Sequence, residues 1–417
     1  MIKKILARKY DCIVVGGGPA GATSAAVLAQ HGRKVLVLER SVFPRHHIGE
    51  SLIPETYETL GRIGMLEKLR ASDFPEKESV KFVTVGGKDS QPYFFTDRNP
   101  HERSRTWQVR RDQFDQMMLD NAREKGADIR YGVQVQRVNF EGTRAVGVRL
   151  ASNGATTDVT APVVVDATGL NALISRQLGI RKPDPCLRKG VLYGYYKGAR
   201  RDEGRAEGGT IVFRTDTGNG WFWFIPLQDD VTSIGLVADL QEMFTGHGDD
   251  PKTTFLQEVK RCRSLSERLD AAELCSAIYV TMDFSYRADR VAGDGWVLVG
   301  DAFGFLDPVY SSGVMLAMKS GEMAADAIHD SLAINDVSAA NLGRFGAEFA
   351  AGMERMRKLV YTFYDPSFSF GDFLKKCPEQ QDNLVRILIG DIFTKEVDPL
   401  FDALSKWTSL PDAPIRA

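Results

Sequence analysis

The segment that most constrains the fold is the apolar run Cys12–Val15, together with the glycine-rich turn that follows it. Neither face of this run carries charge, which is typical of a parallel strand buried between layers of helices. The spacing Gly16-x-Gly18-x-x-Gly21 allows a tight turn, then a close approach of backbone to a pyrophosphate, then close packing of a helix on the strand. The start of that helix offers free N–H groups to an anion. The segment therefore predicts a site for the phosphates of a nucleotide.

Three further strand ends support the same site. The apolar strand Val35–Leu38 ends at Glu39, where a carboxylate can accept hydrogen bonds from ribose hydroxyls. The buried strands Val163–Asp166 and Trp296–Val299 each run into a turn of small residues, and the second turn includes the acid Asp301. Because the carboxyl ends of parallel strands meet at one edge of a sheet, we expect these turns to flank one nucleotide.

Charge and composition exclude several classes of function. The 417 residues include 53 Lys and Arg against 55 Asp and Glu, so the chain lacks the charge excess that binds nucleic acid or an acidic membrane. No apolar stretch approaches the ~20 residues that cross a bilayer, and we see no signal peptide. The five cysteines lack ligand spacing, and no acid or cysteine set joins His46 and His47. We therefore expect a cytoplasmic protein with reduced thiols and no metal.

The middle of the chain changes character. Residues 191–234 are rich in predicted strands, and Trp221 and Trp223 lie two apart, so both indoles share one face of a strand. Aromatic side chains on one face form either ordinary core or the wall of a planar ligand's pocket. After Val337 the sequence is predicted to be helical. The spacing of apolar residues predicts helices over Leu52–Arg70, Asp112–Lys125, Phe345–Tyr364 and Leu384–Phe393.

Three separated signatures together resemble the flavoprotein monooxygenases of the p-hydroxybenzoate hydroxylase type, which bind FAD. They are the glycine turn with Glu39, the sequence Asp166-Ala-Thr-Gly169, and Gly300-Asp301 with Pro308. Further stretches narrow the resemblance to the flavin-dependent halogenases. They are Trp221-Phe-Trp223-Phe-Ile225-Pro226, which matches the family's WxWxIP pattern, Phe43-Pro-Arg-His-His-Ile-Gly-Glu-Ser51, and Asp307-Pro-Val-Tyr-Ser-Ser-Gly313. The likeness covers most of the chain to about residue 330.

The resemblance implies an α/β fold in three parts. A Rossmann-like FAD-binding domain is joined by an inserted, mostly antiparallel β-sheet domain on the substrate side and by a helical C-terminal segment. We expect residues 1–75, 105–175 and 285–335 in the FAD-binding domain, 76–104 and 176–284 in the substrate-side sheet, and 336–417 in the helical cap.

The resemblance also implies which residues form the site. Ser312 and Gly313 are expected to hold the halide, and Lys77 in the sequence Phe74-Pro-Glu-Lys77 is expected to be the catalytic lysine, with Lys81 as the alternative if the register is shifted. The residues expected to wall the pocket are Trp221, Trp223 and Tyr310. The residues expected to bind FAD are Gly16, Gly18, Ala20, Gly21, Glu39, Arg40, Ile48, Gly49, Glu50, Ser51, Arg111, Val135, Ala167, Gly169, Asp301, Pro308, Gly313 and Val314.

One departure from the family's pattern bears on the substrate. Tryptophan halogenases carry a glutamate before their Ser-Thr-Gly turn, whereas Tyr310 stands there in this chain. Halogenases of phenols and of carrier-protein-bound pyrroles have an aromatic residue at this place. The resemblance therefore implies an electron-rich phenol or pyrrole as substrate, free or tethered to a carrier protein, rather than free tryptophan.

The implied reaction uses reduced FAD and oxygen to convert chloride or bromide into hypohalous acid, which a lysine then holds or carries to the ring. An ammonium can donate a hydrogen bond to hypohalous acid, whereas a neutral amine can form a chloramine, and the sequence leaves both open. Burial of the lysine favours the amine. Because no second glycine motif for a nicotinamide is visible, we expect a separate flavin reductase to supply reduced FAD.

Three alternatives share parts of this pattern. An FAD monooxygenase that hydroxylates an aromatic ring has the same nucleotide motifs but needs neither the tryptophan strand nor the lysine. A flavoprotein similar to geranylgeranyl reductases shares the Pro-Arg-x-x-x-Gly-Glu type of loop. The third is a protein that binds FAD and a carrier protein but has lost its chemistry.

Overall fold

A six-stranded sheet, called here the nucleotide sheet, forms one half of the molecule in this computed structural model, which describes residues 8–97, 100–152, 155–218, 220–240, 243, 250–282 and 284–411. Neighbouring strands run parallel except at the edge hairpin of residues 292–298. The first strand is central and fully buried, as its uncharged sequence predicts. The strand order is Ala292–Gly293, Trp296–Leu298, Val163–Asp166, Cys12–Val15, Val35–Leu38 and Asp128–Arg130.

Small residues let three helices, Pro19–Gln30, Arg111–Glu124 and Gly313–Ala333, pack closely in this half. A Cβ atom on Gly21 would lie 2.0 Å from the carbonyl oxygen of Gly16, so only glycine permits this approach of helix to turn. This confirms the close packing predicted from the third glycine of the motif.

The second sheet, called here the substrate-side sheet, has eight strands and is mostly antiparallel, as expected from the resemblance. Only Ser79–Val83 and Thr210–Arg214 pair in parallel. Trp221 and Trp223 face the nucleotide half, and the alternate residues Phe222 and Phe224 pack under the helices Pro251–Arg261 and Arg263–Leu269. The other strands are Tyr93–Phe94, Lys189–Lys197, Gly220–Pro226, Val231–Asp239, Glu273–Leu274 and Tyr279–Met282.

Three small sheets complete the strands. One contains Gln134–Glu141, Arg144–Ser152 and Ala155–Thr160, so the hairpin predicted from alternation at residues 133–150 gains a third strand that the prediction missed. The second pairs Glu76–Lys77 with Thr106–Trp107, and the third joins Arg181–Pro183, Tyr286–Ala288 and Gly304–Phe305.

The remaining helices are short apart from one long C-terminal helix. The single helix predicted over Leu52–Arg70 is wrong: Thr56–Arg62 and Leu66–Arg70 are separate, because Gly64 between them adopts a φ of +72° and breaks the helix. The others are Leu173–Gln177, Ala339–Leu342, Gly346–Tyr364, Phe370–Lys376, Gln381–Ile389 and Asp398–Leu404. The 3₁₀ turns are Phe95–Asp97, Glu102–Ser104, Gly169–Asn171, Gly204–Ala206, Gly300–Ala302, Pro308–Tyr310, Pro378–Gln380 and Lys395–Val397.

Among the described residues, no helix is both long and apolar enough to cross a membrane. The outermost parts of two expected domains, residues 1–7 and 412–417, lie outside the described residues.

Candidate active site

A cavity of about 450 Å³ lies between the nucleotide sheet and the substrate-side sheet. The glycine turn, the segment 45–51, the start of the helix Arg111–Glu124 and the turn 308–314 converge on it. Every residue expected to bind FAD lines this cavity except Gly21, which packs behind the turn. The fold thus brings together residues from motifs that lie as much as 298 positions apart, Gly16 and Val314 being the outermost.

The glycine turn and the end of the second strand form one fixed unit. The carboxylate of Glu39 accepts hydrogen bonds from the backbone N–H groups of Gly17 at 2.7 Å and Ser41 at 2.8 Å. Gly16 adopts a φ of +107°, and a Cβ atom there would lie 2.3 Å from the carbonyl oxygen of Ala167. The carboxylate is therefore held in place at the cavity wall, where it can accept a ribose hydroxyl.

A buried ion pair fixes the segment before Ser51. The guanidinium of Arg111 donates to both carboxylate oxygens of Asp115, at 2.7 and 3.0 Å, and to the carbonyl oxygens of Ile48 and Gly49 at 2.6 and 3.2 Å. Such bidentate pairs have a rigid geometry. Arg111 therefore ties the segment to its helix at the cavity wall, a role that sequence reasoning did not predict.

Arg45 lies in the motif of residues 43–51, and the sequence did not predict a role for it. Its Nη2 lies 3.3 Å from Asp115, and its buried Nη1 has no hydrogen-bond partner among the described residues. Its guanidinium is close to the glycine turn, since a Cβ atom on Gly18 would lie 3.6 Å from Nη2. A buried donor without a partner beside a phosphate-type turn is suited to bind an anion.

Trp221 and Trp223 form an aromatic wall at the cavity, their ring centroids 6.1 Å apart. Each indole N–H is satisfied: that of Trp221 donates to the Tyr364 hydroxyl at 2.8 Å, and that of Trp223 donates to the Ser233 hydroxyl at 3.1 Å. The indoles are thereby held in fixed orientations. Both residues line the cavity, and the C-terminal helix Gly346–Tyr364 supports Trp221 through its last residue.

The turn that precedes the helix Gly313–Ala333 is anchored from behind. Asp307 accepts a backbone N–H from Val309 at 2.9 Å and the Tyr364 hydroxyl at 2.9 Å. Ser311 adopts a φ of +56°, which brings the backbone of Ser312 and Gly313 to the start of the helix. The first N–H groups of a helix have no partner within it, so this turn offers donors to an anion.

Tyr310 lies behind this turn rather than at the surface of the cavity. Its ring packs against Phe363 at a centroid distance of 6.0 Å, and its hydroxyl is 3.3 Å from the carbonyl oxygen of Leu359. Its placement as a pocket wall therefore remains a prediction about the substrate side, separate from the flavin cavity.

Lys77 is buried, with only 2% of its surface exposed, although it does not line the cavity. Its Nζ donates to the hydroxyl of Ser51 at 2.8 Å and to the carbonyl oxygen of Leu52 at 2.9 Å. Desolvation lowers the pKa of Lys77 to about 7. A neutral amine is thus readily available at physiological pH.

Lys81, the alternative lysine, is in a different setting. Its Nζ forms ion pairs with Asp202 at 2.6 Å and Asp89 at 3.0 Å. Lys81 is thus engaged by two carboxylates, whereas Lys77 contacts none among the described residues.

Two carboxyl groups at the cavity have raised pKa values. Burial raises the pKa of Glu50 to about 7, although the Tyr195 hydroxyl donates to it at 2.8 Å and opposes the shift. Burial likewise raises the pKa of Asp301 to about 7, and the positive charge of Arg111 opposes it. Both residues are expected to contact the cofactor, and perturbed acids are typical of functional sites.

No group of three or more His, Cys, Asp or Glu residues within the described ranges is arranged to hold a metal ion. His46 instead stacks on Tyr279 at 4.4 Å between centroids and lies 3.1 Å from the Tyr193 hydroxyl.

Sequence reasoning missed Gln108, Thr210 and Asp115, which all contact predicted site residues. Thr210 reaches Ser51 across 159 positions, at 2.9 Å between their hydroxyl oxygens. Its strand joins the site through parallel pairing with Ser79–Val83, a long-range feature that no local pattern shows. Asp115 carried a local signal, because it follows Arg111 by four residues on one helix face.

The cavity fits the FAD that the sequence predicts. The helix start and Arg45 Nη1 offer donors to phosphates, the fixed carboxylate of Glu39 suits a ribose, and the indole wall suits a planar ring system. Gly16 and Gly18 leave the space that a Cβ would otherwise occupy beside the phosphates.

Comparison with known proteins places this chain in a family. The sequence profile described as "FAD binding domain" matches residues 9–329. A 1H-pyrrole-2-carbonyl-[peptidyl-carrier protein] chlorinase of Pseudomonas fluorescens is 30% identical over 92% of this chain and 90% of its own length. A tryptophan 2-halogenase of Chondromyces crocatus is 32% identical over 85% of this chain and 67% of its own length.

Among solved structures, the flavin-dependent brominase Bmp2 superposes with a TM-score of 0.86 at 29% identity, covering 96% of this chain and 99% of that chain. The profile match and these relatives agree with the site geometry. The chain belongs to the FAD-binding domain family and, within it, to the flavin-dependent halogenases.

Proposed function

We propose that this chain chlorinates or brominates an electron-rich aromatic ring, phenolic or pyrrolic, and that Lys77 delivers the halogen. The observation that carries the proposal is the buried Nζ of Lys77, which has no carboxylate contact among the described residues and lies one hydroxyl group from the cavity. An unpaired buried ammonium is costly to a fold, so a chemical role accounts for its retention.

Bound FAD in its reduced form would supply the reducing power with which oxygen converts halide into hypohalous acid. Glu39, Arg45 and the glycine turn would hold the dinucleotide end, with Asp301 near the ring side. Ser312 and Gly313 would offer backbone N–H groups to the halide. The indoles of Trp221 and Trp223 would keep the substrate apart from the flavin, so that the ring meets halogen at Lys77.

The substrate class is supported by the position of Tyr310. Its buried ring offers no carboxylate to remove a proton from an arene, and a phenol or pyrrole needs less assistance than a less electron-rich ring. A relative named for a pyrrole on a carrier protein covers most of both chains, which supports a tethered substrate for this chain as well. The relative named for tryptophan makes free tryptophan the second candidate.

The decisive experiment is product mass. The purified protein is incubated with reduced FAD, oxygen and bromide, together with phenols, pyrrolyl carrier protein or tryptophan. A bromine isotope doublet on a phenol or pyrrole is expected, and a doublet on tryptophan alone would overturn the substrate class.

The same assay separates the alternatives. A ring hydroxylase forms an oxygenated product when halide is omitted, whereas a halogenase forms none. A reductase of prenyl double bonds acts without oxygen. A product under either condition would contradict the proposed reaction.

A further inference from the structure

Two hydroxyl groups at the edge of the flavin cavity extend the hydrogen bonding of Lys77. Lys77 Nζ is 2.8 Å from Ser51 Oγ, which is 2.9 Å from Thr210 Oγ1. Ser51 and Thr210 both line the cavity, whereas Lys77 is behind them. All three side chains are buried. A continuous chain of hydrogen bonds thus runs from the amine to the cavity.

The amide of Gln108 fixes the direction of this chain. Its Nε2 donates to the carbonyl oxygen of Gly208 and to Thr210 Oγ1, both at 2.9 Å. A carbonyl can only accept, so the nitrogen of the amide must face it. Thr210 Oγ1 therefore receives a hydrogen bond from Gln108, just as Ser51 Oγ receives one from Lys77.

When the donors and acceptors are counted, one hydroxyl hydrogen has no acceptor within this chain of hydrogen bonds. Each hydroxyl donates one hydrogen bond and accepts up to two. One O–H group is used between Ser51 and Thr210, and each oxygen already accepts from a fixed donor. The second O–H group has no acceptor in this set, although both hydroxyls border the cavity.

We propose that Ser51 and Thr210 form a proton relay from Lys77 to hypohalous acid in the cavity. The inference rests on the proposed function and adds two positioning residues to it. The free O–H of Thr210 donates to the oxygen of hypohalous acid at the cavity edge, and the halogen passes between the two hydroxyls to reach Nζ. This arrangement closes a ring of hydrogen bonds and reacting atoms around Lys77, Ser51 and Thr210.

The halogen-transfer step balances within this ring. A bond forms between Nζ and the halogen as the halogen–oxygen bond breaks, and the bond electrons leave with hydroxide. Hydroxide takes a proton from Thr210, Thr210 takes one from Ser51, and Ser51 takes one from the ammonium of Lys77, so water departs. When the aromatic ring accepts the halogen from the positively charged nitrogen, the ring proton returns to Nζ and restores the ammonium.

The surroundings of Lys77 are consistent with proton loss there. Burial lowers its pKa to about 7, so the proton leaves readily at neutral pH. The charged groups on the packed elements are engaged elsewhere or exposed, apart from Oε2 of Glu50, which has no hydrogen-bond partner among the described residues. Glu50 accepts from Tyr195, Glu78 pairs with Arg105 and Arg205, Lys81 pairs with Asp89 and Asp202, and Glu76 is exposed.

The test compares Thr210→Val, which removes the hydroxyl at nearly constant shape, with Thr210→Ser, which keeps it. Thr232→Val is the matched control, because Thr232 is fully buried in the same sheet and its hydroxyl has no hydrogen-bond partner in the described part of the chain. In the first arm, one equivalent of hypochlorous acid is added to the protein without flavin. Chlorination of Lys77 is then measured by peptide mass.

We expect Thr210→Val to chlorinate Lys77 at least tenfold more slowly than wild type, and Thr210→Ser and Thr232→Val to stay within threefold. In the second arm, with reduced FAD and bromide, Thr210→Val should release more hypobromous acid to an added scavenger for each flavin oxidised. Melting temperature and FAD affinity are followed in parallel, and Ser51→Ala carries the comparison should Thr210→Val fail to fold.

Equal chlorination of Lys77 in Thr210→Val and wild type would overturn the relay. So would a defect in Thr210→Ser as large as that in Thr210→Val, because packing rather than the hydroxyl would then be responsible. Absence of chlorination at Lys77 in wild type would also overturn it. Chlorination of Lys77 that depends on Thr210, without any halogenated ring from the complete enzyme, would uphold the relay and refute the proposed function.

Discussion

At the scale of the residue, the two candidate lysines show how environment assigns chemistry. Lys77 and Lys81 lie four positions apart and are both buried. Lys81 meets Asp89 and Asp202, whereas Lys77 meets a hydroxyl and a carbonyl oxygen. Only the second setting stabilises a neutral amine. The sequence could not separate them, because Asp202, which pairs with Lys81, and Ser51, which contacts Lys77, are 121 and 26 positions away.

Replacing each lysine by methionine should separate their roles. Lys77→Met should lower halogenation by roughly 10²–10⁴-fold, the size of a lost acid–base group, while FAD affinity and flavin oxidation persist. Lys81→Met should keep most activity and lower the melting temperature, since an ion pair is lost. Rates of product formation and of flavin oxidation, measured on both variants, check this. Retained halogenation in Lys77→Met would end the assignment of that residue.

Lys77 should also make the free energy of unfolding depend on pH. Its pKa is about 7 in the fold and 10.5 in the reference state, so between these values the unfolded chain binds more protons. The free energy of unfolding therefore rises with pH across that interval. The destabilisation caused by burying Lys77 is largest below about pH 7. Lys77→Met should melt at a higher temperature than wild type at pH 7, and the difference should shrink towards pH 10. A difference that stays constant with pH would contradict the lowered pKa.

At the scale of the element, the long helix Gly346–Tyr364 reaches the site through its last residues. The Tyr364 hydroxyl accepts from Trp221 and donates to Asp307, so it joins the aromatic wall to the turn before Ser312. The cation of Lys189 lies 4.1 Å above the Tyr364 ring. Apolar spacing predicted this helix, and none of the predicted site residues lies on it. A helix's apolar spacing shows which face is buried, and it cannot show which distant residues that face meets.

Tyr364→Phe should therefore weaken the turn as well as the fold. The change leaves the indole N–H of Trp221 and an oxygen of Asp307 without their partner, at a cost of about 2–4 kcal/mol in unfolding free energy. The concentration of bromide needed for half-maximal rate should rise because the turn loses its anchor.

Tyr361→Phe is the matched control, since Tyr361 lies on the same helix and its hydroxyl donates to Asp184 instead. Tyr361→Phe should lower the free energy of unfolding, while the bromide concentration needed for half-maximal rate stays as in wild type. An unchanged bromide dependence in Tyr364→Phe would contradict the anchoring role.

Local sequence could predict those parts of the fold that depend on neighbouring residues alone. The first strand, the glycine turn and the position of Glu39 follow from burial and backbone freedom within some thirty residues, and the structure has them as expected. The broken helix at Gly64 escaped prediction because apolar spacing continues across it. The contacts of Ser51 with Lys77 and Thr210 span 26 and 159 positions, and only the assembled sheets bring them together.

At the scale of the whole molecule, the described residues form one dinucleotide site. The nucleotide sheet carries a single glycine turn with its acid, and the second large sheet supplies an aromatic wall instead of another nucleotide motif. The reducing equivalents must then arrive with the flavin itself. We therefore expect a separate flavin reductase to supply the reduced flavin.

Turnover should therefore depend on how the flavin is reduced. NADH or NADPH with the purified protein and FAD should give no halogenated product, whereas an added flavin reductase or photochemically reduced FAD should give it at comparable yield. Nicotinamide oxidation, followed by absorbance, checks the first condition. Oxidation of NADH by the chain alone would show that it carries its own reductase activity.

The placement of Lys77 behind Ser51 has a consequence for altering the protein. Under the proposed function, hypohalous acid would form on the cavity side of the Ser51 and Thr210 hydroxyls and the arene would be halogenated on the Lys77 side. Selectivity for one ring over another could then be redesigned around the amine, for example at Phe95, while the residues of the flavin cavity are left unchanged. Substitutions around the flavin cavity would change how fast hypohalous acid is released. Substitutions around Lys77 would change which ring receives the halogen.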